Sequence, residues 1–131
     1  MSTIKRFEDM EAWQLAKELN KEIYSIAKSG NFSRDFELKK QIIRSSGSIM
    51  DNIAEGFERG GKGEFIQFLG IAKGSAGEVR SQLHRAFDQA YIDKNKFDEL
   101  YNKADRVGKM INGLISYLNK TEIKGQKYKK P

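Results

Sequence analysis

Apolar residues recur every three or four positions through nearly the whole chain, in four blocks separated by polar or glycine-rich breaks. That spacing puts them on one face of an α-helix. From Asp9 to Lys28 the face is Ala12, Leu15, Ala16, Leu19, Ile23, Ile26 and Ala27, with Gly30 just beyond as a C-terminal cap. A second helix is predicted from Ser33, as N-cap, to Phe57, with Leu38, Ile42, Ser46, Ile49, Ile53 and Phe57 inward. The third, Glu64 to Tyr91, is the longest and most regular, with Phe65, Leu69, Ala72, Ala76, Val79, Leu83 and Ala86 in register. Asp93 is placed to cap a fourth, Lys94 to Asn119, whose face runs from Phe97 through Ala104 and Ile111 to Leu118. The only proline is Pro131, so nothing interrupts these helices. Four amphipathic helices with short connections predict an all-α, antiparallel up-down-up-down four-helix bundle over residues 1–119, followed by a basic tail, residues 120–131.

Several stripes exceed what one core needs. The second helix carries a further apolar line, Phe36, Ile43, Met50 and Ala54, about a quarter turn from the first. It reads either as a subunit interface or as a wider core contact. Its opposite side is polar: Gln41, Ser45, Ser48, Asn52, Glu55 and Arg59. The third helix has a matching line, Glu64, Gln67, Ser75, Glu78, Gln82 and Arg85. Facing lines of this kind make an inter-helix hydrogen-bonded seam, or bring Glu55 and Glu78 together as a carboxylate pair. The third helix also bears Gly70, Gly74, Gly77 and Ser81 in one stripe. Each helical glycine costs about 1 kcal/mol relative to alanine, so close approach of another helix is expected there.

Composition narrows the chemistry. There is no cysteine and one histidine, His84, which removes thiolate and His-cluster metal sites and most catalytic triads; no cofactor is expected. Residues 56–65, GFERGGKGEF, carry most of a G-x-x-x-x-G-K phosphate loop, but Gly63 stands where a Mg²⁺-binding hydroxyl is needed. The segment before it is helical in pattern rather than a strand. The glycines Gly56, Gly60, Gly61 and Gly63 therefore read as a helix stop and a turn. No apolar run approaches the ~20 residues of a membrane span, and the N-terminus has no signal-peptide pattern, so a cytoplasmic protein is expected.

Net charge is +6, and the last twelve residues hold five Lys and one Glu, leaving 19 basic and 17 acidic residues in the body. The tail lysines Lys124, Lys127, Lys129 and Lys130 serve solubility or an anionic partner. On the third helix Lys73, Arg80 and His84 lie within a narrow arc, where aligned cations can follow a phosphate backbone. Lys17, Lys21 and Lys28 align on the first helix, but Glu11, Glu18 and Glu22 interleave with them.

Residues 45–79, SSGSIMDNIAEGFERGGKGEFIQFLGIAKGSAGEV, resemble the 23S rRNA intervening-sequence protein family, also called the four-helix bundle protein family. The resemblance is carried by Ser48-Ile49, by Asn52-Ile53-Ala54-Glu55-Gly56, and by Ala72-Lys73-Gly74-Ser75 followed by Glu78. Trp13 and Gln41-Ile42-Ile43-Arg44 extend it over nearly the whole chain except the tail. Met50-Asp51 departs from the proline and small residue common at that point. The resemblance implies an antiparallel four-helix protomer, a ring-forming homopentamer with a basic surface, and no established catalytic activity. Some members are encoded inside intervening sequences of bacterial rRNA genes; similar proteins are accessory subunits of diversity-generating retroelements. A ribosomal or reverse-transcriptase partner is thereby implied.

The function expected from these readings is non-enzymatic binding of RNA, DNA or a ribonucleoprotein through Lys73, Arg80, His84 and the tail. Phe36, Ile43, Met50, Gly70 and Gly77 are the expected oligomer contacts. The alternatives are an interaction scaffold whose charge serves solubility, and an enzyme using Glu55 and Glu78.

Overall fold

The computed structural model describes residues 4–121, and every element is helical: α1 (Glu11–Ala27), α2 (Phe36–Arg59), α3 (Lys62–Asp88) and α4 (Lys94–Asn119), with 3-10 turns at Phe7–Asp9 and Gly30–Arg34. Each helix packs on its sequence neighbours, and α4 closes against α1. The result is the expected up-down-up-down bundle. Its centre is filled by large apolar side chains excluded from water, among them Leu19, Ile23, Phe32, Ile42, Ile49, Phe57, Phe65, Leu83 and Leu100. All but Phe32, which comes from the 3-10 turn between α1 and α2, lie on the faces that the helical spacing picks out, because burying each such side chain is worth roughly 1.5–3 kcal/mol.

Only α4 has the expected bounds; the other helix ends shift by one to three residues, α3 stopping at Asp88 rather than Tyr91. α2 begins at Phe36, capped by Asp35, whose carboxylate accepts from the Leu38 N–H at 3.1 Å. Ser33 instead bonds the Gly30 carbonyl at 2.6 Å inside the 3-10 turn that buries Phe32. Gly30, at φ 51°, opens that turn, while Lys28 is the α1 C-cap. α2 runs through Gly56 to Arg59, and α3 starts at Lys62, so the turn is only Gly60 and Gly61; Gly60 sits at φ 84°, a left-handed conformation that glycine takes without strain. Asp93 caps α4 as expected, accepting from the Lys96 N–H at 2.8 Å.

α3 ends in a Schellman motif. The Tyr91 N–H bonds the Ala86 carbonyl and the Ala90 N–H that of Phe87, with Ala90 left-handed at φ 61°. This reversal delivers Tyr91 onto Phe32 (ring centroids 5.0 Å apart) and lets its hydroxyl donate to Asp35 at 2.9 Å. The Asp35 carboxyl is held below its ordinary value of 3.8, first by the Leu38 N–H, then by the Tyr91 hydroxyl and the Arg85 charge; burial opposes them. A depressed carboxyl stabilises the fold above its unfolded pKa and loses that contribution as pH falls through the folded value. Asp35→Asn keeps a capping acceptor without the charge. Wild type is therefore expected to have the higher urea midpoint from pH 5 to 8, with the gap closing below pH 3.8. A gap unchanged at pH 3 would show that the charge is not what stabilises this corner.

Candidate nucleic-acid interface

The polar lines of α2 and α3 face each other as a seam. Arg85 donates to Gln41 Oε1 at 2.9 Å, Gln82 Nε2 to Ser45 Oγ at 3.0 Å, and Ser75 Oγ to Ser48 Oγ at 2.9 Å. Asn52 Nδ2 adds bonds to the Ser48 carbonyl (2.8 Å) and hydroxyl (2.9 Å). At the loop end Arg59 bridges Glu55 (2.9 Å) and Glu64 (3.5 Å). Ser45, Ser75 and Gln82 are buried, and the Gln82 Oε1 lacks a partner among the described residues. Beside the seam Gly56 permits close packing of α2 on α3: a Cβ there would meet Phe68 Cβ at 2.7 Å. It is a packing glycine inside α2, not the helix stop that sequence reading makes it.

The seam also separates the carboxylates. Since Ser48 and Ser75 stand level on antiparallel helices, Glu55 and Glu78 lie roughly 15 Å apart along the bundle axis at 1.5 Å per residue. The spacing exceeds the ~5–9.5 Å over which glycosidase carboxylates cooperate. Among the described residues no cluster of three or more His, Asp or Glu could hold a metal ion.

The phosphate-loop lysine is placed differently as well. Lys62 opens α3 and donates its Nζ to the Thr121 carbonyl, tying the end of α4 to the α2–α3 turn.

Lys73, Arg80 and His84 turn toward α4. Lys73 Nζ donates to Asn112 Oδ1 at 3.0 Å, and the Arg80 guanidinium pairs with Asp105 at 3.7 Å. Lys109 joins the same carboxylate at 3.0 Å. Between the helices lies a groove of about 180 Å³, walled by Lys73, Arg80, Asp105, Lys109 and Asn112 and floored by Ala76 and Gly108. Arg80 and Lys109 share that one carboxylate while Lys73 is held by a neutral amide, so the groove lining carries an excess of positive charge. Gly108 keeps the groove open, because its position on α4 faces Ala76 with no side chain between. Lys109, Asp105 and Asn112 escape sequence reading, since α4 shows there only its apolar periodicity. One signal exists: Asp105, Lys109 and Asn112 follow one another at four and three residues on the side of α4 next to its core face.

At the groove's upper end His84 is exposed and meets aromatic rings, Phe97 at 4.9 Å and Tyr101 at 5.5 Å between centroids. Arg80 lies 5.8 Å from the Tyr101 ring. On α1, Lys17 lies over Trp13 and Lys28 over Tyr24, each along its own helix surface. The tail lysines Lys124, Lys127, Lys129 and Lys130 lie outside the described residues.

The expected oligomer contacts divide into two groups. Ile43 and Met50 are half-buried against the edge of the core, while Phe36 is 75% exposed. On α3, Gly70 and Gly74 face open space and Gly77 meets only Arg80. Among the described residues no helix covers the small-residue stripe, so the close approach expected there is not made between them. Beside it Ile71 is 49% exposed.

No helix among the described residues is long and apolar enough to cross a membrane. No curated protein matches the chain. Among solved structures, a protein of unknown function from the S23 ribosomal protein family of Bacteroides thetaiotaomicron VPI-5482 superposes with a TM-score of 0.73 at 26% identity, covering 79% of this chain and 97% of that one. The sequence profile of the 23S rRNA-intervening sequence proteins matches residues 8–113, which takes in all of α1, α2 and α3 and most of α4. The chain therefore belongs to the 23S rRNA-intervening sequence protein family.

Proposed function

We propose that the protein is a non-enzymatic, ring-forming helical protein that binds the phosphate backbone of nucleic acid through the α3–α4 groove. Residues 1–119 form its bundle domain, and 120–131 form a basic tail that adds electrostatic attraction. The observation that carries the reading is an open groove lined by three cations, Lys73, Arg80 and Lys109, and one carboxylate, Asp105, which Arg80 and Lys109 share. Such a site contacts phosphates without reading bases. Repetition of one groove around a ring would make weak sites act together through effective concentration.

The test is a salt series with one RNA, comparing wild type, Lys73→Ala with Arg80→Ala, and a chain ending at Asn119. Removing one cation–phosphate pairing lowers the slope of log K against log salt by about 0.7–0.9. The double variant is expected to show a slope shallower by about 1.5 and to bind far more weakly at low salt. A double variant with unchanged slope would remove the groove from the reading. If only truncation changes the slope, binding belongs to the tail. A wild type that binds no RNA or DNA at low salt leaves the protein-interaction scaffold as the function.

A further inference from the structure

We infer that the strand held by this groove is single-stranded, with a base stacked on the aromatic cluster at its upper end. The inference rests on the phosphate-binding reading of the same groove. Arg80 belongs to both halves of the site: its guanidinium lines the cationic groove and lies 5.8 Å from the Tyr101 ring. Tyr101 is 5.5 Å from His84 and stacks on Phe97 at 5.4 Å with 30° between ring planes; Phe97 in turn meets Phe87 at 5.2 Å. His84 is the exposed member, and Phe87, Phe97 and Tyr101 are half-buried behind it. From Lys73 to His84 the α3 axis advances roughly 16 Å, enough for a few nucleotides in line.

Two physical arguments favour a single strand over a duplex. A duplex buries the faces of its bases in its own stack, so rings beside a backbone-tracking groove would have nothing to receive; a single strand offers phosphates and free base faces together. Charge points the same way. A duplex presents a phosphate about every 1.7 Å and a single strand about every 3.4 Å, and three cations offset by Asp105 match the sparser ladder. Phosphate contact and stacking do not depend on the sugar, so oligo(U) and oligo(dT) are expected to bind alike.

Anisotropy titrations with labelled oligo(U), oligo(dT) and a duplex of equal length test this on the full chain. Wild type is expected to prefer either single strand over duplex by about tenfold. His84→Ala is expected to lower single-strand affinity about fivefold or more, with the salt slope and duplex affinity unchanged, and His84→Tyr to restore it, because only a flat ring is needed. Because His84 is exposed, these variants leave the core intact. Equal affinity for duplex and single strand, with no effect of His84→Ala while Lys73→Ala with Arg80→Ala weakens both, would overturn the stacking inference and leave phosphate binding standing. Failure of wild type to bind any of the three would overturn both. A twofold or larger preference for oligo(U) over oligo(dT) would refute sugar-independent stacking, pointing to 2′-hydroxyl recognition instead.

Discussion

Gly56→Ala is expected to destabilise the bundle by about 2 kcal/mol, the reverse of what alanine does at an ordinary mid-helix glycine. The added methyl would sit 2.7 Å from Phe68 Cβ, 3.1 Å from Phe65 Cδ1 and 3.4 Å from the Phe65 Cα. The first separation is about 1 Å inside the optimum for two carbons. A rotamer change cannot relieve it, because a Cβ is fixed to its backbone. The helices α2 and α3 must part, or the Phe57–Phe65 ring pair, 5.9 Å between centroids, must be disrupted. Overpacking of that kind costs about 3 kcal/mol, against a gain of about 1 kcal/mol in helix propensity. Gly56→Leu adds three further carbons to the same point and is expected not to give a folded protein. Urea unfolding of the alanine variant decides the matter by sign: a raised midpoint would mean that α2 and α3 do not meet as closely as they do here.

That glycine shows where sequence reading succeeds and where it stops. The four helices are legible because burial imposes a 3.6-residue period that no interior proline interrupts. The polar lines of α2 and α3 are legible on the same ground, but not their register. Only the level pairing of Ser48 with Ser75 and Ser45 with Gln82 rules out the Glu55–Glu78 pair. Gly56 looks like a stop because helix-ending glycines and close-packing glycines are identical in sequence, and the nearby Gly60 and Gly61 invite the first reading. The N-cap of α2 fails for a similar reason. Ser33 and Asp35 are both capping residues, and the choice between them is tertiary: Tyr91, 56 positions away, donates to Asp35. At the candidate interface, the arc of Lys73, Arg80 and His84 is visible from α3 alone. Their partners on α4 are not, because a groove between two helices belongs to neither periodicity.

Gly70, Gly74 and Gly77 are expected to respond to alanine in the sense opposite to Gly56, and the triple substitution is expected to change assembly as well as stability. A Cβ at Gly70 or Gly74 meets nothing within 4 Å, and at Gly77 only Arg80 Nη2 at 3.6 Å, an ordinary contact. Each substitution therefore recovers about 1 kcal/mol of helix propensity, so the isolated protomer gains roughly 3 kcal/mol. A chain that forgoes that stability on an exposed helix face has a use for the missing side chains. In the proposed ring the use is a neighbouring protomer's helix, seated close against α3 and Ile71. Three methyls would push that helix away at about 1–3 kcal/mol per crowded site, repeated at every subunit boundary. Light scattering should then give wild type as a multiple of 15.0 kDa and the triple variant near 15.0 kDa, with the dissociated variant showing the higher stability when both are compared at concentrations where wild type is also dissociated. Wild type at 15.0 kDa in high micromolar solution would end the ring reading. A triple variant that keeps the assembly while gaining stability would move the subunit contact off α3, to the edge of α2 where Phe36 stands 75% exposed beside the half-buried Ile43 and Met50.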